Sequence, residues 1–160
     1  DGVFKINDFN RCRFLAWHRE FDQACTYTVG NNPKKFRSPE EYRYEEQTEK
    51  VDVYSMGNIF YVILTNKWPF GSISDKEAQK LVMNGERPAV DYETGTGDNE
   101  HDPIDSVLIK AMNMCFSDDP RDRSSAREVF NFLSGALDAI DPRQPGDNGN
   151  LRRFPPSFKT

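Results

Sequence analysis

Residues 52–65 constrain the fold more than any other stretch. Val53, Met56, Phe60, Ile63 and Leu64 recur there at helical spacing, and Ile59 and Val62 fill the remaining sides. A helix apolar nearly all round belongs inside a core, so the rest of the chain must wrap it. Three further helical patterns can do so. Residues 75–84 carry a narrow stripe of Ala78, Leu81 and Val82. Residues 103–115 present Ile104, Val107, Leu108, Ala111, Met112 and Cys115 on one face. Residues 125–140 align Ala126, Val129, Phe130, Leu133, Ala136, Leu137 and Ile140. The pattern predicts a mainly α module built around one buried helix.

The helix ends carry their own signals. Asp52 is placed to cap the buried helix, which Pro69 and Gly71 bring to a stop. Ser74 with Glu77, and Ser125 with Glu128, have the capping-box spacing in which the two side chains satisfy orphan N–H groups reciprocally. Gly85 supplies a C-terminal stop, and Asp102-Pro103 opens the third helix.

Two long stretches, 7–50 and 88–102, show neither period and read as irregular. The second holds Asp91, Glu93, Asp98, Glu100 and Asp102 with no Lys or Arg, and reads as a solvated insertion. At the N-terminus Asp1-Gly2 has the chemistry of a hairpin turn, and Phe4 and Ile6 alternate as in a short strand. A lone strand leaves its backbone unpaired, so the expectation is a hairpin remnant whose partner precedes Asp1. Residues 141–160 carry Pro142, Pro145, Pro155, Pro156, Gly146 and Gly149 without periodicity, and are expected to be a disordered tail.

Composition narrows the function classes. The net charge of −5 does not favour nucleic acid or an anionic membrane. Cys12, Cys25 and Cys115 form no C-x-x-C pair and read as free thiols of a reducing compartment. The longest apolar-rich run, 56–64, is too short to span a bilayer. A cytoplasmic or nuclear location follows by elimination.

Four short motifs carry the chemistry. Asp8-Phe9-Asn10 follows the N-terminal strand; alone, Asp8 reads either as a turn residue or as an oxygen ligand for a divalent cation. Ser38-Pro39-Glu40, Asp52-Val53-Tyr54-Ser55-Met56-Gly57 and Asp118-Asp119-Pro120-Arg121-Asp122-Arg123 follow in that order. Each is weak by itself. Their order over residues 1–140 resembles the C-terminal subdomains of eukaryotic protein kinases.

That resemblance implies the helical C-lobe of a protein kinase-like fold, with an activation segment at about 8–41 and a helical base at about 42–140. It implies that Asp8 binds Mg²⁺, and through it ATP. It makes Lys35, Phe36 and Ser38 part of a substrate-docking loop. It pairs Glu40 with Arg123 in a buried clamp, and it turns Asp52 back toward the catalytic loop. If Glu40 and Arg123 lay far apart, an unrelated helical protein would be the better reading.

Pro33-Lys34-Lys35-Phe36-Arg37-Ser38-Pro39-Glu40, Asn84-Gly85-Glu86-Arg87-Pro88 and Cys115-Phe116 are similar to the tyrosine-kinase-like branch. Thr26, Tyr27 and Thr28 sit in a basic activation loop with Arg11, Arg13, Arg19, Lys34, Lys35 and Arg37. A phosphate on any of the three could pair with that cluster, and a solvated basic loop is the alternative. His18 reads as an ordinary loop residue and Trp17 as an apolar anchor for the loop.

The chain departs from the family pattern at Asn10, where the family has Gly, and at Ser38, where it usually has Ala. No His-Arg-Asp loop, Gly-rich loop or Val-Ala-x-Lys strand is present, so no catalytic residue is assigned here. The catalytic Asp is expected upstream of Asp1, in a missing N-terminal half of the domain. The complete protein would then use ATP and Mg²⁺ to phosphorylate a Ser, Thr or Tyr of a protein substrate, which this chain alone would not. The alternative is a pseudokinase or scaffold.

Overall fold

A computed structural model describes residues 12–30, 34–90 and 103–140. A small antiparallel hairpin, β1 (Trp17–His18) and β2 (Gln23–Ala24), leads into five helices. These are α1 (Pro39–Arg43), α2 (Lys50–Thr65), α3 (Asp75–Met83), α4 (Pro103–Cys115) and α5 (Ala126–Ile140). The fold is mainly helical, as the periodicity predicts. The hairpin expected at residues 1–6, Asp8, Asn10, the cap Asp102, most of the acidic stretch and the tail 141–160 lie outside the described residues.

α2 is the axis of the module. Val53, Tyr54, Phe60 and Tyr61 bury on it, and Ala111, Met112, Cys115 and Phe116 meet them from α4 and its end. Val82 of α3, Val129 of α5 and Tyr42 of α1 close the same core. Gly57 sets how closely α2 and α4 approach. A Cβ built at Gly57 would lie 2.8 Å from both Cys115 Cβ and Phe116 Cε1, closer than real contacts allow.

The caps follow the sequence in part. Ser74 with Glu77, and Ser125 with Glu128, each form the reciprocal capping box. Asp52 is not the N-cap of α2. The helix begins two residues earlier behind Glu49, and Asp52 stands exposed in its first turn. α2 ends at Asn66, whose φ of 53° is left-handed and whose N–H returns to Val62 O at 2.8 Å. Asn is among the residues that tolerate this region, so the stop comes before Pro69 is reached.

Two expectations are corrected. The stretch 7–50 is not irregular throughout, because it holds β1, β2 and α1. Strands of two residues and a helix of five are too short to show a period. Nor is α2 covered on every side. Ile59 and Ile63, one turn apart, are 51% and 60% exposed. Phe130, Leu137 and Ile140 of α5 are also exposed, so only part of that expected face is packed.

Candidate functional site

The Ser38-Pro39-Glu40 motif opens α1. Ser38 is fully buried at its N-cap position, and its N–H and Oγ both donate to Glu41 Oε2, at 2.9 and 3.0 Å. Pro39 follows at the first helical position, where a missing N–H costs nothing. α1 turns Glu40 inward, and the structure places it against Arg123.

Arg123 donates from Nη1 to Glu40 Oε1 at 2.7 Å and from Nη2 to Oε2 at 2.9 Å. Both side chains are shut off from water, and the residues are 83 positions apart in sequence. The remaining N–H groups are also used. Nε and Nη2 reach Ser117 O, and Nη1 reaches Lys50 O at 2.7 Å. Tyr54 lies beneath, its ring centroid 5.0 Å from the guanidinium. Lys50 Nζ donates back to Arg123 O. A planar guanidinium with five fixed donors suits this position, and an ammonium could not span it. Burial pushes the Tyr54 phenol up to about 12, against the opposing pull of Arg87 and Arg123.

A second pair ties α1 to the loop before α5. Arg43 meets both carboxylate oxygens of Asp118, at 3.0 and 3.1 Å, and also donates to Met83 O at the end of α3. Arg87 joins the same cluster, with Nε donating to Phe116 O at 2.8 Å.

The proposed docking residues lie along the top of α2. Phe36 O accepts from Ser55 Oγ at 3.0 Å and from Asn58 Nδ2 at 3.4 Å. Lys35 Nζ donates to Phe70 O and Ile73 O in the α2–α3 connection. Segment 34–38 is therefore fastened to α2 and to the loop that follows it. The sequence reading did not assign roles to Ser55, Asn58, Lys50 or Arg43. Ser55 lies in a quoted motif, and the other three carry no local signal, since their partners are distant backbone atoms or loop residues.

Thr26, Tyr27 and Thr28 follow the hairpin. Tyr27 is half-buried and exchanges backbone hydrogen bonds with Gln47, at 3.1 and 2.8 Å. Its phenol is raised, first by burial and then by the Asp52 and Glu41 carboxylates, with Arg13 opposing. Thr26 and Thr28 are exposed. Thr26 faces a cleft of about 870 Å³ lined by Asp22, Glu45, Glu46, Glu49, Asp118 and Asp119 against Arg43, Lys50 and Arg121. Those three cations are committed to Asp118, the Arg123 carbonyl and Asp119. Lys35 and Arg37 are committed elsewhere, Arg37 to Glu41. Of the loop cations expected to receive a phosphate, Lys35 and Arg37 thus already have partners, Arg13 acts on the Tyr27 phenol, and Arg11 lies outside the described residues. His18 stacks on Phe21 at 4.5 Å. Trp17 is not buried as an anchor; it is 59% exposed and its Nε1 donates to Asp22.

Asp52, expected to reach back toward the catalytic loop, is exposed in the first turn of α2. Its carboxyl is raised by partial desolvation and then by Glu41. Asp8 lies outside the described residues. Among the described residues no three or more His, Cys, Asp or Glu side chains gather to hold a metal ion, and no helix is long and apolar enough to cross a membrane.

Residues 1–132 match the family model described as protein kinase domain. A probable serine/threonine-protein kinase of Dictyostelium discoideum is 27% identical over 89% of this chain and 14% of its own length. A probable LIM domain-containing serine/threonine-protein kinase of the same organism is 30% identical over 88% of this chain and 19% of its own. A dual specificity protein kinase, again of Dictyostelium discoideum, is 35% identical over 81% of this chain and 8% of its own. The chain thus spans a fifth or less of the length of these curated relatives.

Proposed function

Since this chain belongs to the protein kinase domain family, we propose that it is the substrate-presenting C-lobe of a kinase whose complete form phosphorylates a protein hydroxyl using ATP. The observation that carries this reading is the buried bidentate pair of Glu40 and Arg123. It clamps the end of the docking segment to the helical base. An extended segment held rigidly can offer a substrate hydroxyl in one orientation, and orientation supplies much of the rate in phosphoryl transfer.

The remainder of the proposal concerns the parent protein. Asp8 holds Mg²⁺ against the ATP phosphates, and the catalytic Asp lies upstream of Asp1. The exposed stripe of Ile59 and Ile63 favours a further part of the domain packing on α2. Asp52, raised by desolvation on the same helix, is the residue to reach that part. The tyrosine-kinase-like branch is favoured by contact between two of its signatures, because Arg87 donates to the carbonyl of Phe116. Ser or Thr is the favoured acceptor, after the names of the serine/threonine kinases the chain resembles, with Tyr the alternative. A cytoplasmic or nuclear setting suits the three free thiols.

A second reading, a pseudokinase or scaffold, is favoured by Asn10 in place of Gly. The test is transfer of labelled γ-phosphate by the parent protein to a general protein substrate, with thermal shift by Mg-ATP alongside. Transfer abolished by Asp8→Asn supports the kinase. Nucleotide stabilisation without transfer leaves the scaffold, and the absence of both responses would overturn the ATP-dependent reading.

A further inference from the structure

The β1–β2 hairpin, the connection from α1 to α2 and the loop before α5 meet around an open cleft of about 870 Å³. These three walls are fastened to one another. Tyr27, just after the hairpin, exchanges backbone hydrogen bonds with Gln47 in the connection, at 3.1 and 2.8 Å. Arg43 of α1 grips Asp118 of the loop, and Lys50 Nζ reaches Arg123 O. A cleft formed in advance lowers the ordering cost of binding. Trp17 stands on the hairpin wall. Its Nε1 donates to Asp22 Oδ1 at 3.2 Å, and Asp22 takes a left-handed φ of 48° that Asp tolerates. The indole is thus oriented, yet no ring or cation among the described residues stacks on it. Tryptophan is among the residues most enriched where binding energy concentrates, and an unstacked one in a concave site marks an interaction surface.

Charge decides what fits there. Six carboxylates face three cations across the cleft. Each cation is already bonded: Arg43 to Asp118, Arg121 to Asp119, and Lys50 to a carbonyl. Glu45, Glu46 and Glu49 make no ion pair among the described residues, and all three are exposed. An open indole and unanswered carboxylates in one cleft suit one side chain above the others. The arginine guanidinium stacks flat on an indole face and donates to carboxylates through a planar fork. A lysine ammonium can neutralise the charge, but it has no flat face to stack.

We propose that this cleft docks an arginine-rich segment of a partner protein. One guanidinium stacks on Trp17, and its neighbours pair with Glu46 and Glu49. Nucleic acid and an anionic membrane are the poorer occupants, because the same carboxylates repel them. None of residues 34–38 lines the cleft, so its occupant is not held by the docking segment. The proposal needs neither ATP nor a catalytic residue, and it stands or falls separately from phosphoryl transfer.

The test is fluorescence anisotropy on the full chain with a labelled peptide that alternates Arg with Ser. Controls replace every Arg by Lys, or by Glu. The Arg peptide is expected to bind at least ~10-fold more tightly than the Glu peptide, with an advantage that shrinks as salt rises. It should also bind more tightly than the Lys peptide. Trp17→Ala should weaken the Arg peptide about 5-fold, the scale of a cation–π contact, and remove its preference over Lys. Glu46→Lys should weaken it about 5-fold. Glu86→Lys makes the same change of charge outside the cleft and should leave affinity within about 2-fold. All three residues are exposed, so unchanged helical circular dichroism will show that the variants still fold. Equal losses in Glu46→Lys and Glu86→Lys would overturn the proposal, because the attraction would then belong to net charge alone. So would equal affinity for the Arg and Lys peptides, indifference to Trp17→Ala, or no binding at millimolar peptide.

Discussion

Arg123, from the loop before α5, grips both carboxylate oxygens of Glu40 in α1, and neither side chain touches water. The two belong to motifs that read weakly alone. Their meeting joins the docking segment to the helical base. A charged pair this deep is poor evidence for stability in itself, since desolvation offsets much of the attraction. Breaking it is another matter.

Glu40→Gln or Arg123→Met should each destabilise the chain by about 3–5 kcal/mol, because either leaves a buried charge without its counter-charge. The double variant should lose much less than the sum. Urea unfolding of all four proteins measures the coupling. Simple additivity would mean that the pair contributes nothing as a pair.

Gly57→Ala should destabilise by about 1–3 kcal/mol, although alanine favours the helix by about 1 kcal/mol. The added methyl has no room between Cys115 and Phe116. A lowered denaturation midpoint with an unchanged slope is the expected result, and a raised midpoint would show that α4 moves aside freely.

Ser38→Ala restores the residue usual in the family, yet it should cost about 1 kcal/mol, the scale of a lost helix cap. Ser38 is buried and bonded to Glu41, so here the serine is part of the α1 cap. Thermal unfolding will show the sign, and a stabilised variant would mean that the Ser38–Glu41 bonds contribute nothing.

Stability should fall as pH rises from about 9 toward 12. Burial pushes the Cys115 thiol up from 9.0 to about 12, and the Tyr42 and Tyr54 phenols up from 10.0 to about 12. With folded values above unfolded ones, the folded state holds these protons longer. The contribution is complete below pH 9 and is lost as the folded values are approached. Urea midpoints measured across that range should decline, and Cys115→Ser should remove the earliest part. A flat profile would show that these groups ionise without unfolding. At neutral pH, iodoacetamide should modify exposed Cys12 ahead of buried Cys115.

The helices were legible because long apolar periods report burial directly. The predicted 103–115 helix coincides with α4, and 52–65 and 125–140 differ from α2 and α5 only at their first residues. The capping boxes were legible because they are local. The hairpin and α1 were not, being held by tertiary bonds such as Tyr27 to Gln47 and Arg43 to Asp118. Asp52 misled as a cap because Glu49 and Lys50 start α2 early, with the Arg123 guanidinium taking the Lys50 carbonyl. The locking of Phe36 by Ser55 and Asn58 depends on a backbone oxygen, which no side-chain pattern reveals.

The clamp is tested most directly by amide hydrogen exchange in Glu40→Gln, at a temperature where circular dichroism shows the helices intact. Residues 34–43 should lose protection by at least ~10-fold while α2 and α4 keep theirs, because the docking segment opens as a local unit once its anchor is gone. Unchanged protection of 34–43, or an equal loss throughout the chain, would contradict the role assigned to Glu40 and Arg123.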